Sequence, residues 1–202
     1  LHRYLRLRKK ALKLDRLHMY DLYVPMVEEY NKTIPYEDAL ALVSLCLGPL
    51  GDEYLEDLNN AFKSGWIDVY ENEGKTSGAY SWGSYLTHPY VLLNFQGTIN
   101  DVFTIAHEMG HALHSFYTNK TQPYIYSEYR IFVAEVASTV NESLLMKHLL
   151  GNTGDKTEEA YLLNHYLEEF RGTLFRQVMF AEFEKMIHME IQSGEALTTE
   201  NL

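Results

Sequence analysis

Two histidines and a glutamate near the middle of the chain have the spacing that metal chemistry requires. The stretch from Thr104 to His114 contains the pattern His-Glu-x-x-His inside a helical periodicity. Because an α-helix has about 3.6 residues per turn, His107 and His111 lie on one face, and both imidazoles can reach a single Zn²⁺ at about 2.0–2.1 Å. Glu108 is rotated by about 100° from His107. Its carboxylate is therefore predicted to lie beside the metal, where it can accept a proton from water.

The residues around this pattern favour a metal site over a chance match. A β-rich segment precedes the helix, and apolar side chains such as Ile105 and Leu113 surround the polar ones. Polar groups on the buried face of such a helix are costly without a partner, and a bound cation supplies one. The competing interpretation is a pair of ordinary histidines on a helix surface, with no metal.

A zinc site of this kind also needs a third protein ligand. The metzincin pattern requires Gly three residues and His six residues after the second histidine, and it is excluded because His114 and Tyr117 occupy those positions. His114 is itself interpreted as a structural or substrate-side residue, because a third ligand there would spread the ligands too widely around one helix.

A carboxylate further along the chain is the better third ligand. Glu135 stands in the apolar and small-residue stretch 131–142, and a carboxylate in such surroundings should pair with a cation or bind a metal. Glu135 is therefore predicted to complete a His₂Glu site. Glu142 follows two turns later on roughly the same face, and we expect it to accept a hydrogen bond from a metal-binding histidine.

The elements that must position these residues are predicted to be mostly helical, with one small sheet. Helical patterns cover residues 1–14, a segment opened by Thr33 and Pro35 that ends at Gly48-Pro49, and residues 51–63, 100–117, 127–149 and 156–192. Residues 66–95 are rich in Trp, Tyr, Val and Thr and are interrupted by glycines, which is typical of short strands. The predicted fold class is mostly α with a small antiparallel β element.

Composition and charge exclude several classes of function. Of the 202 residues, 46% are hydrophobic and 22% are charged, as in a globular protein. Seventeen basic and 28 acidic residues give a formal net charge of −11, so no nucleic-acid partner is expected. No apolar run approaches the ~20 residues that cross a bilayer, and no membrane partner is expected. The single cysteine, Cys46, cannot form an internal disulfide and gives no indication of an oxidising compartment.

Both ends of the sequence resemble the interior of a longer chain. The sequence begins at Leu1, inside a helical pattern, and ends at Leu202, just after a helix start with hydroxyl caps at Thr198 and Thr199. We therefore expect a piece of a longer protein. The alternative is a natural small protein whose initiator methionine has been removed.

Several segments together resemble one enzyme family. The helix with the metal pattern has the sequence HEMGHALHSFY from His107, the segment with Glu135 is FVAEVASTVNE, and the segment from Ser77 is SGAYSWGSYLTHPYVLLNF. With segments 17–23 and 168–177, they are similar to the oligoendopeptidase F branch of the thimet-oligopeptidase family of zinc metallopeptidases. The resemblance covers essentially the whole chain.

The resemblance implies a cytoplasmic zinc endopeptidase that hydrolyses short peptides. In that family, one zinc ion is held by the two motif histidines and the later glutamate, which correspond to His107, His111 and Glu135. The motif glutamate, here Glu108, activates water. The family fold is mostly helical, with a zincin-like catalytic core and a deep channel that admits short peptides.

The glycine-rich region resembles the edge strand on which a peptide substrate of this family lies in extended form. Gly78, Ala79 and Tyr80 are therefore expected to bind the substrate backbone by strand addition. The family also has a large N-terminal helical portion and a C-terminal His/Tyr-rich segment that stabilises the oxyanion, and neither is recognisable here. Residues 1–202 are thus expected to be one partial catalytic domain, with the remainder of a longer peptidase as its partner and the oligomeric state left open.

Two alternatives to a working enzyme stay open. The chain is either a catalytically incompetent, zinc-stabilised helical fragment that binds a peptide or a protein partner, or an inert helical scaffold with a chance motif. The first alternative predicts metal binding without peptide cleavage. The second predicts no metal binding at all.

Overall fold

A computed structural model of the chain describes residues 1–27 and 32–201. They form two compact units, of which one contains Leu1–Tyr30 and Thr153–Leu202 and the other contains Asn31–Asn152. The residues that the sequence analysis selects for chemistry all lie in the second unit. The assignment of residues 1–202 to a single partial catalytic domain stays a prediction.

The described part of the chain contains seven α-helices and three short strands. The helices are α1 (His2–Ala11), α2 (Tyr36–Cys46), α3 (Asp52–Lys63), α4 (Ile99–Thr121), α5 (Ile131–Asn152), α6 (Lys156–Glu169) and α7 (Arg176–Gln192), and the strands are β1 (Ile67–Asp68), β2 (Tyr80–Trp82) and β3 (Tyr90–Leu92). The mostly helical fold class predicted from the sequence is confirmed. Within the described ranges, no helix is both long enough and apolar enough to cross a membrane.

The small sheet is mixed, not purely antiparallel. Its strand order is β1-β3-β2, and β2 pairs antiparallel with β3, with Ser81 opposite Val91. β1 pairs in parallel with β3, with Ile67 opposite the same Val91. The parallel pair is not apparent from the sequence because β1 joins the far edge of β3 through a long connection, and no tight turn fixes its direction. Among the described strands, β2 therefore lies at a sheet edge.

α4 is the helix that carries the metal pattern, and it begins with a capping box. Thr98 Oγ1 accepts a hydrogen bond from the backbone N–H of Asp101 at 3.3 Å, and Asp101 Oδ2 accepts one from the backbone N–H of Thr98 at 2.7 Å. Six apolar side chains of the helix are at most 1% exposed: Val102, Ile105, Ala106, Met109, Ala112 and Leu113. This buried stripe fixes the rotation of α4 and, with it, the directions of its two motif histidines.

The first unit is organised around a buried arginine. Arg8 is 2% exposed, and its Nε donates to the carbonyl of Asp21 at 3.0 Å while its Nη1 donates to Glu168 Oε1 at 3.0 Å. Arg171 Nε donates to the other carboxylate oxygen of Glu168 at 2.8 Å. The buried guanidinium thus has the carboxylate and carbonyl partners that a buried charge requires. Two of the segments that carry the family resemblance meet at this residue.

The helical pattern over residues 156–192 is interrupted in the structure. α6 ends at Glu169, α7 begins at Arg176, and Phe170–Phe175 between them form a π-helical turn. Gly172, a weak helix former, lies within this turn. The chain stays helical through a turn of this kind, so the sequence, which shows a helix-forming segment on both sides, does not reveal it.

Candidate functional site

α4 presents its two motif histidines on one face, as their spacing predicts. The Nε2 atoms of His107 and His111 lie 3.1 Å apart, and the planes of the two rings meet at 82°. The side chains are partly buried, with exposed fractions of 27% for His107 and 17% for His111. Two imidazole nitrogens therefore converge on one point beside the helix.

α5 brings the carboxylate of Glu135 to the same point. Its Oε2 lies 3.3 Å from Nε2 of His107 and 3.4 Å from Nε2 of His111. The donor atoms of the three residues lie within 4.8 Å of one another and form a group that can hold a metal ion. Ligands bound at about 2.1 Å on a tetrahedron around Zn²⁺ are about 3.4 Å apart. The three residues therefore fit three vertices of such a site and leave the fourth open.

Glu135 is not buried, contrary to what its apolar neighbours in the sequence indicate. Its side chain is 61% exposed, and the adjacent Phe132 and Val136 are also exposed. These apolar neighbours therefore do not enclose the carboxylate, which nevertheless lies beside the two imidazoles. Its position results from the packing of α5 on α4.

That packing depends on a glycine inside the metal pattern. A Cβ built on Gly110 would lie 2.6 Å from Cα and 2.8 Å from the backbone nitrogen of Ser138. Carbon atoms in contact lie about 3.5–4.0 Å apart, and backbone atoms cannot rotate out of the way. A residue without a Cβ is therefore required for α5 to approach closely enough for Glu135 to reach the imidazoles.

Glu142, also on α5, orients the first histidine. Its Oε1 accepts a hydrogen bond from Nδ1 of His107. An ionised carboxylate only accepts hydrogen bonds, so Nδ1 carries the proton, and Nε2 of the neutral imidazole has a free lone pair. This lone pair faces Oε2 of Glu135, which is likewise an acceptor. The arrangement is repulsive unless a cation or a proton lies between the two atoms.

The surroundings of the two histidines shift their pKa values in opposite directions. Burial lowers the pKa of His107, but the hydrogen bond and charge of Glu142, together with the charges of Glu108 and Glu135, leave the pKa above its usual value. Burial and the neighbouring His107 lower the pKa of His111, against the charge of Glu135 and a backbone hydrogen bond with Ala134. His111 is thus held in the neutral form, which is the form that binds metals.

Glu108 lies on α4 next to the first histidine, and its carboxylate is buried. The residue is 7% exposed, and its Oε2 has no hydrogen-bond partner within the described ranges. Burial raises its pKa, the charge of His107 lowers it, and the charges of Glu135 and Glu142 raise it further, with a net increase. A buried carboxylate with a raised pKa and a free oxygen is suited to accepting and releasing a proton.

Two polar residues of α5 that the sequence does not single out, Ser138 and Asn141, bond to the site residues or to the helix that carries them. Ser138 Oγ donates to Oε2 of Glu135 at 2.8 Å. Asn141 is 1% exposed; its Nδ2 donates to the carbonyl of Ala106 at 2.9 Å, and its Oδ1 accepts from the hydroxyl of Tyr54 at 3.2 Å. Ser138 follows Glu135 at a spacing of three residues, at which helical side chains are neighbours, and this spacing is the signal that could have found it.

The three residues expected to bind substrate lie at the start of the edge strand β2. Tyr80 belongs to the strand, whereas Gly78 and Ala79 precede it. Gly78 has a φ of +92°, and its carbonyl accepts from Nδ2 of Asn94 at 2.8 Å. Gly78 and Ala79 line a cavity of about 250 Å³ together with Thr104 of α4. Since Thr104 lies one turn before the first motif histidine, the cavity borders the helix that carries the metal pattern.

His114 has a separate environment. Its ring stacks on that of Tyr129, with centroids 3.8 Å apart and planes at 11°. The group of metal-ligand candidates found among the described residues contains His107, His111 and Glu135 but not His114. This arrangement agrees with the structural interpretation of His114.

Comparisons with known proteins agree on one family. The sequence model of Peptidase family M3 matches residues 1–202. The chain is 54% identical over 202 residues to oligopeptidase PepF of Bacillus subtilis (strain 168), and this match covers 100% of the chain and 30% of that protein. It is 48% identical over 202 residues to group B oligopeptidase PepB of Streptococcus agalactiae, with 100% of the chain and 33% of that protein covered.

A solved structure gives the same result for the fold. The crystal structure of oligoendopeptidase-F from Enterococcus faecium superposes with a TM-score of 0.64 at 34% sequence identity, covering 100% of this chain and 28% of that one. The chain spans about a third of the length of the curated relatives it matches. The family match nevertheless includes every residue of the chain. The resemblance found in the sequence is confirmed, and the chain belongs to peptidase family M3.

Proposed function

We propose that this chain forms the catalytic centre of a zinc-dependent endopeptidase that hydrolyses short peptides. The observation that carries the proposal is the convergence of Nε2 of His107, Nε2 of His111 and Oε2 of Glu135, at separations of 3.1, 3.3 and 3.4 Å. Acceptor atoms at such distances are best held together by a cation, and two imidazoles with one carboxylate are a donor set typical of catalytic zinc. One zinc ion is therefore the proposed cofactor.

Glu108 is the proposed general base and acid. Zinc bound by the three ligands would supply Lewis acidity, which lowers the pKa of a coordinated water from about 15.7 towards 7 and polarises a peptide carbonyl. Oε2 of Glu108, which has no hydrogen-bond partner among the described residues, is free to accept a proton from the attacking water. Its raised pKa allows the same carboxyl group to hold that proton and then donate it to the nitrogen of the departing amine. The products are a carboxylate and an amine.

Glu142 is proposed to support the site without binding the metal. Its hydrogen bond from Nδ1 of His107 fixes the tautomer and the orientation of that ring, so that Nε2 is directed at the ligand position. The bond also stabilises positive charge on the imidazole and makes the ring a stronger ligand.

The proposed substrate is a short peptide bound in extended form along β2. The outer side of an edge strand has backbone groups that can pair with an added strand, and β2 is an edge strand of the described sheet. Gly78, Ala79 and Tyr80 are the proposed backbone contacts, and the cavity beside them extends to Thr104 of α4. Two relatives are named oligopeptidases, in agreement with this substrate class.

We also propose a partner and a cellular location for this chain. The relatives are about three times as long, so the proposed partner of this chain is the remainder of a longer peptidase. The formal charge of −11 opposes a nucleic-acid partner. A cytoplasmic location is also proposed, and cell fractionation followed by detection of the protein tests it.

Cleavage of a quenched fluorogenic oligopeptide tests the proposed activity. The zinc-loaded chain should cleave the peptide, and a chelator should stop the reaction. Glu108→Gln should keep its zinc and lose about 10²–10⁴-fold in rate, because an amide cannot accept the proton. Glu73→Gln, at an exposed position, is the matched control and should leave the rate unchanged.

The outcomes separate the proposal from its alternatives. Hydrolysis by Glu108→Gln at the normal rate removes Glu108 from its role. Zinc binding without cleavage, both by the unmodified chain and by the longer peptidase proposed to contain it, favours a non-catalytic zinc-stabilised module that binds peptides or partners. Absence of zinc binding leaves only the helical scaffold with a chance motif.

A further inference from the structure

We propose that Ser138 is a positioning residue, which holds the carboxylate of Glu135 in its metal-binding orientation and thereby sets the zinc affinity. The inference rests on the proposed zinc site and concerns a side chain that binds no metal itself. Three observations support it: the atom that Ser138 contacts, the exposure of Glu135, and the burial of Ser138 against α4.

The hydroxyl of Ser138 contacts the oxygen that faces the two histidines. Its Oγ donates to Oε2 of Glu135 at 2.8 Å, with the backbone carbonyl of Glu135 as a second, more distant acceptor at 3.1 Å. The same Oε2 lies 3.3 and 3.4 Å from the two imidazole nitrogens. A carboxylate oxygen has two acceptor sites. When one is used by the hydroxyl, the other is directed towards the point where the imidazoles converge.

Glu135 needs such an anchor because its side chain is mostly exposed. At 61% exposure, a glutamate on a helix surface samples several rotamers and loses this freedom when it binds a ligand. A hydrogen bond that selects the binding rotamer in advance removes most of that loss. The zinc affinity should therefore depend on this hydrogen bond even though it lies outside the ligand set.

Ser138 is itself held rigidly. It is 0% exposed, and its backbone lies so close to α4 that a Cβ at Gly110 would be 2.6 Å from its Cα. Such packing restricts the positions that the oxygen of this short side chain can take. The orientation of the Glu135 carboxylate is thus tied to the contact between the two helices.

A neighbouring hydroxyl provides the matched control. Thr139 Oγ1 also donates to Glu135, but to its backbone carbonyl and not to its carboxylate. We would measure zinc affinity by competition with a chromophoric chelator for Ser138→Ala and for Thr139→Val, which removes a hydroxyl at nearly constant volume. Ser138→Ala should bind zinc about 10–100-fold more weakly. Thr139→Val should bind zinc with unchanged affinity.

A double-mutant cycle tests whether Ser138 acts through Glu135. In the Glu135→Ala background the carboxylate is absent, so adding Ser138→Ala should cause no further loss of zinc affinity. Ser138→Thr and Ser138→Val provide a second, nearly isosteric pair with and without the hydroxyl. The Thr variant should bind zinc more tightly than the Val variant, and this comparison holds even if the Ala variant folds poorly. Circular dichroism of the metal-free variants verifies folding.

The Co²⁺ derivative gives a readout that does not depend on peptide cleavage. The d–d absorption of Co²⁺ is intense in four-coordinate sites and weak in sites of higher coordination. Ser138→Ala should weaken this absorption, because a mobile carboxylate no longer enforces one geometry, whereas Thr139→Val should leave it unchanged.

Three results would overturn the inference: a Ser138→Ala chain that binds zinc as tightly as the unmodified chain, equal losses in Ser138→Ala and Thr139→Val, or a full additional loss in the Glu135→Ala background. In each case the zinc binding of the unmodified chain would leave the proposed function standing. An unmodified chain that binds no zinc would reject the proposed function and this inference together.

Discussion

Replacement of Gly110 by alanine is the most informative single perturbation of the contact between α4 and α5. The added Cβ would lie 2.6 Å from Cα of Ser138 and 2.9 Å from the carbonyl oxygen of Ala137. Since carbon atoms in contact lie about 3.5–4.0 Å apart, the two helices must separate by roughly 1 Å. The atoms in the way belong to backbone, so no rotamer change avoids the separation.

Gly110→Ala should weaken zinc binding more than it destabilises the fold. Overpacking costs about 1–3 kcal/mol, and the better helix propensity of alanine returns about 0.8–1 kcal/mol. The net loss in unfolding free energy is therefore about 0–2 kcal/mol. Zinc ligands tolerate displacements of only about 0.2 Å, so a shift of Glu135 by roughly 1 Å should lower zinc affinity at least about 100-fold.

The assay is chelator competition for zinc, combined with thermal denaturation of the metal-free chain. Gly151→Ala is the matched control, because Gly151 lies in α5 and a Cβ there meets no atom within 4 Å. That variant should bind zinc normally and be unchanged or up to about 1 kcal/mol more stable. If Gly110→Ala bound zinc as tightly as Gly151→Ala, the argument that helix separation controls the site would be refuted.

Three further predictions concern groups around the same core. Asn141→Ala should lower the unfolding free energy by about 1–3 kcal/mol, because the buried amide bonds the carbonyl of Ala106; a denaturation midpoint equal to that of the unmodified chain would contradict this. Glu142→Gln should weaken zinc binding about tenfold, since a neutral amide orients His107 less firmly, and chelator competition measures it. Burial raises the pKa of Cys46 to about 11, so only about 0.1% is thiolate at pH 8. A disulfide reagent should label it slowly in the native chain and rapidly after denaturation; prompt native labelling would refute its burial.

The helices and the direction of the motif side chains could be predicted from the sequence because both depend on residues close together in the chain. The apolar periodicity of residues 100–117 predicts α4 and places His107 and His111 on one face. The apolar neighbours of Glu135 in the stretch 131–142 indicate it as the third ligand, although in the structure they leave its side chain exposed.

The ends of α4 and α5 could not be located accurately from the local sequence pattern. α4 continues to Thr121 and α5 starts at Ile131, four residues beyond the predicted limits in each case. A 3₁₀ turn at Tyr124–Tyr126 follows Pro123 and occupies the connection. This turn falls within residues 118–126, which the predicted helices leave unassigned, whereas the exact helix ends are not fixed by the periodic pattern.

The contact between α4 and α5 could not be predicted, because the local sequence of each segment does not show which residues of the other lie opposite. Gly110 appears only as a weak helix former in the sequence, and Ser138 and Asn141 appear as ordinary polar residues. These residues are important because each lies against the neighbouring helix in the folded chain. The direction of β1 could not be predicted for the same reason, because it is set by pairing with β3, which lies far away in the sequence.

Zinc stoichiometry after equilibrium dialysis is the most direct test of the central claim that His107, His111 and Glu135 hold one metal ion. The unmodified chain and Glu135→Ala would be dialysed against the same buffered low-micromolar zinc and measured by elemental analysis. The account predicts one zinc per unmodified chain and a much lower content in Glu135→Ala, with both chains folded by circular dichroism. Equal zinc content in the two chains, or none in the unmodified chain, would contradict it.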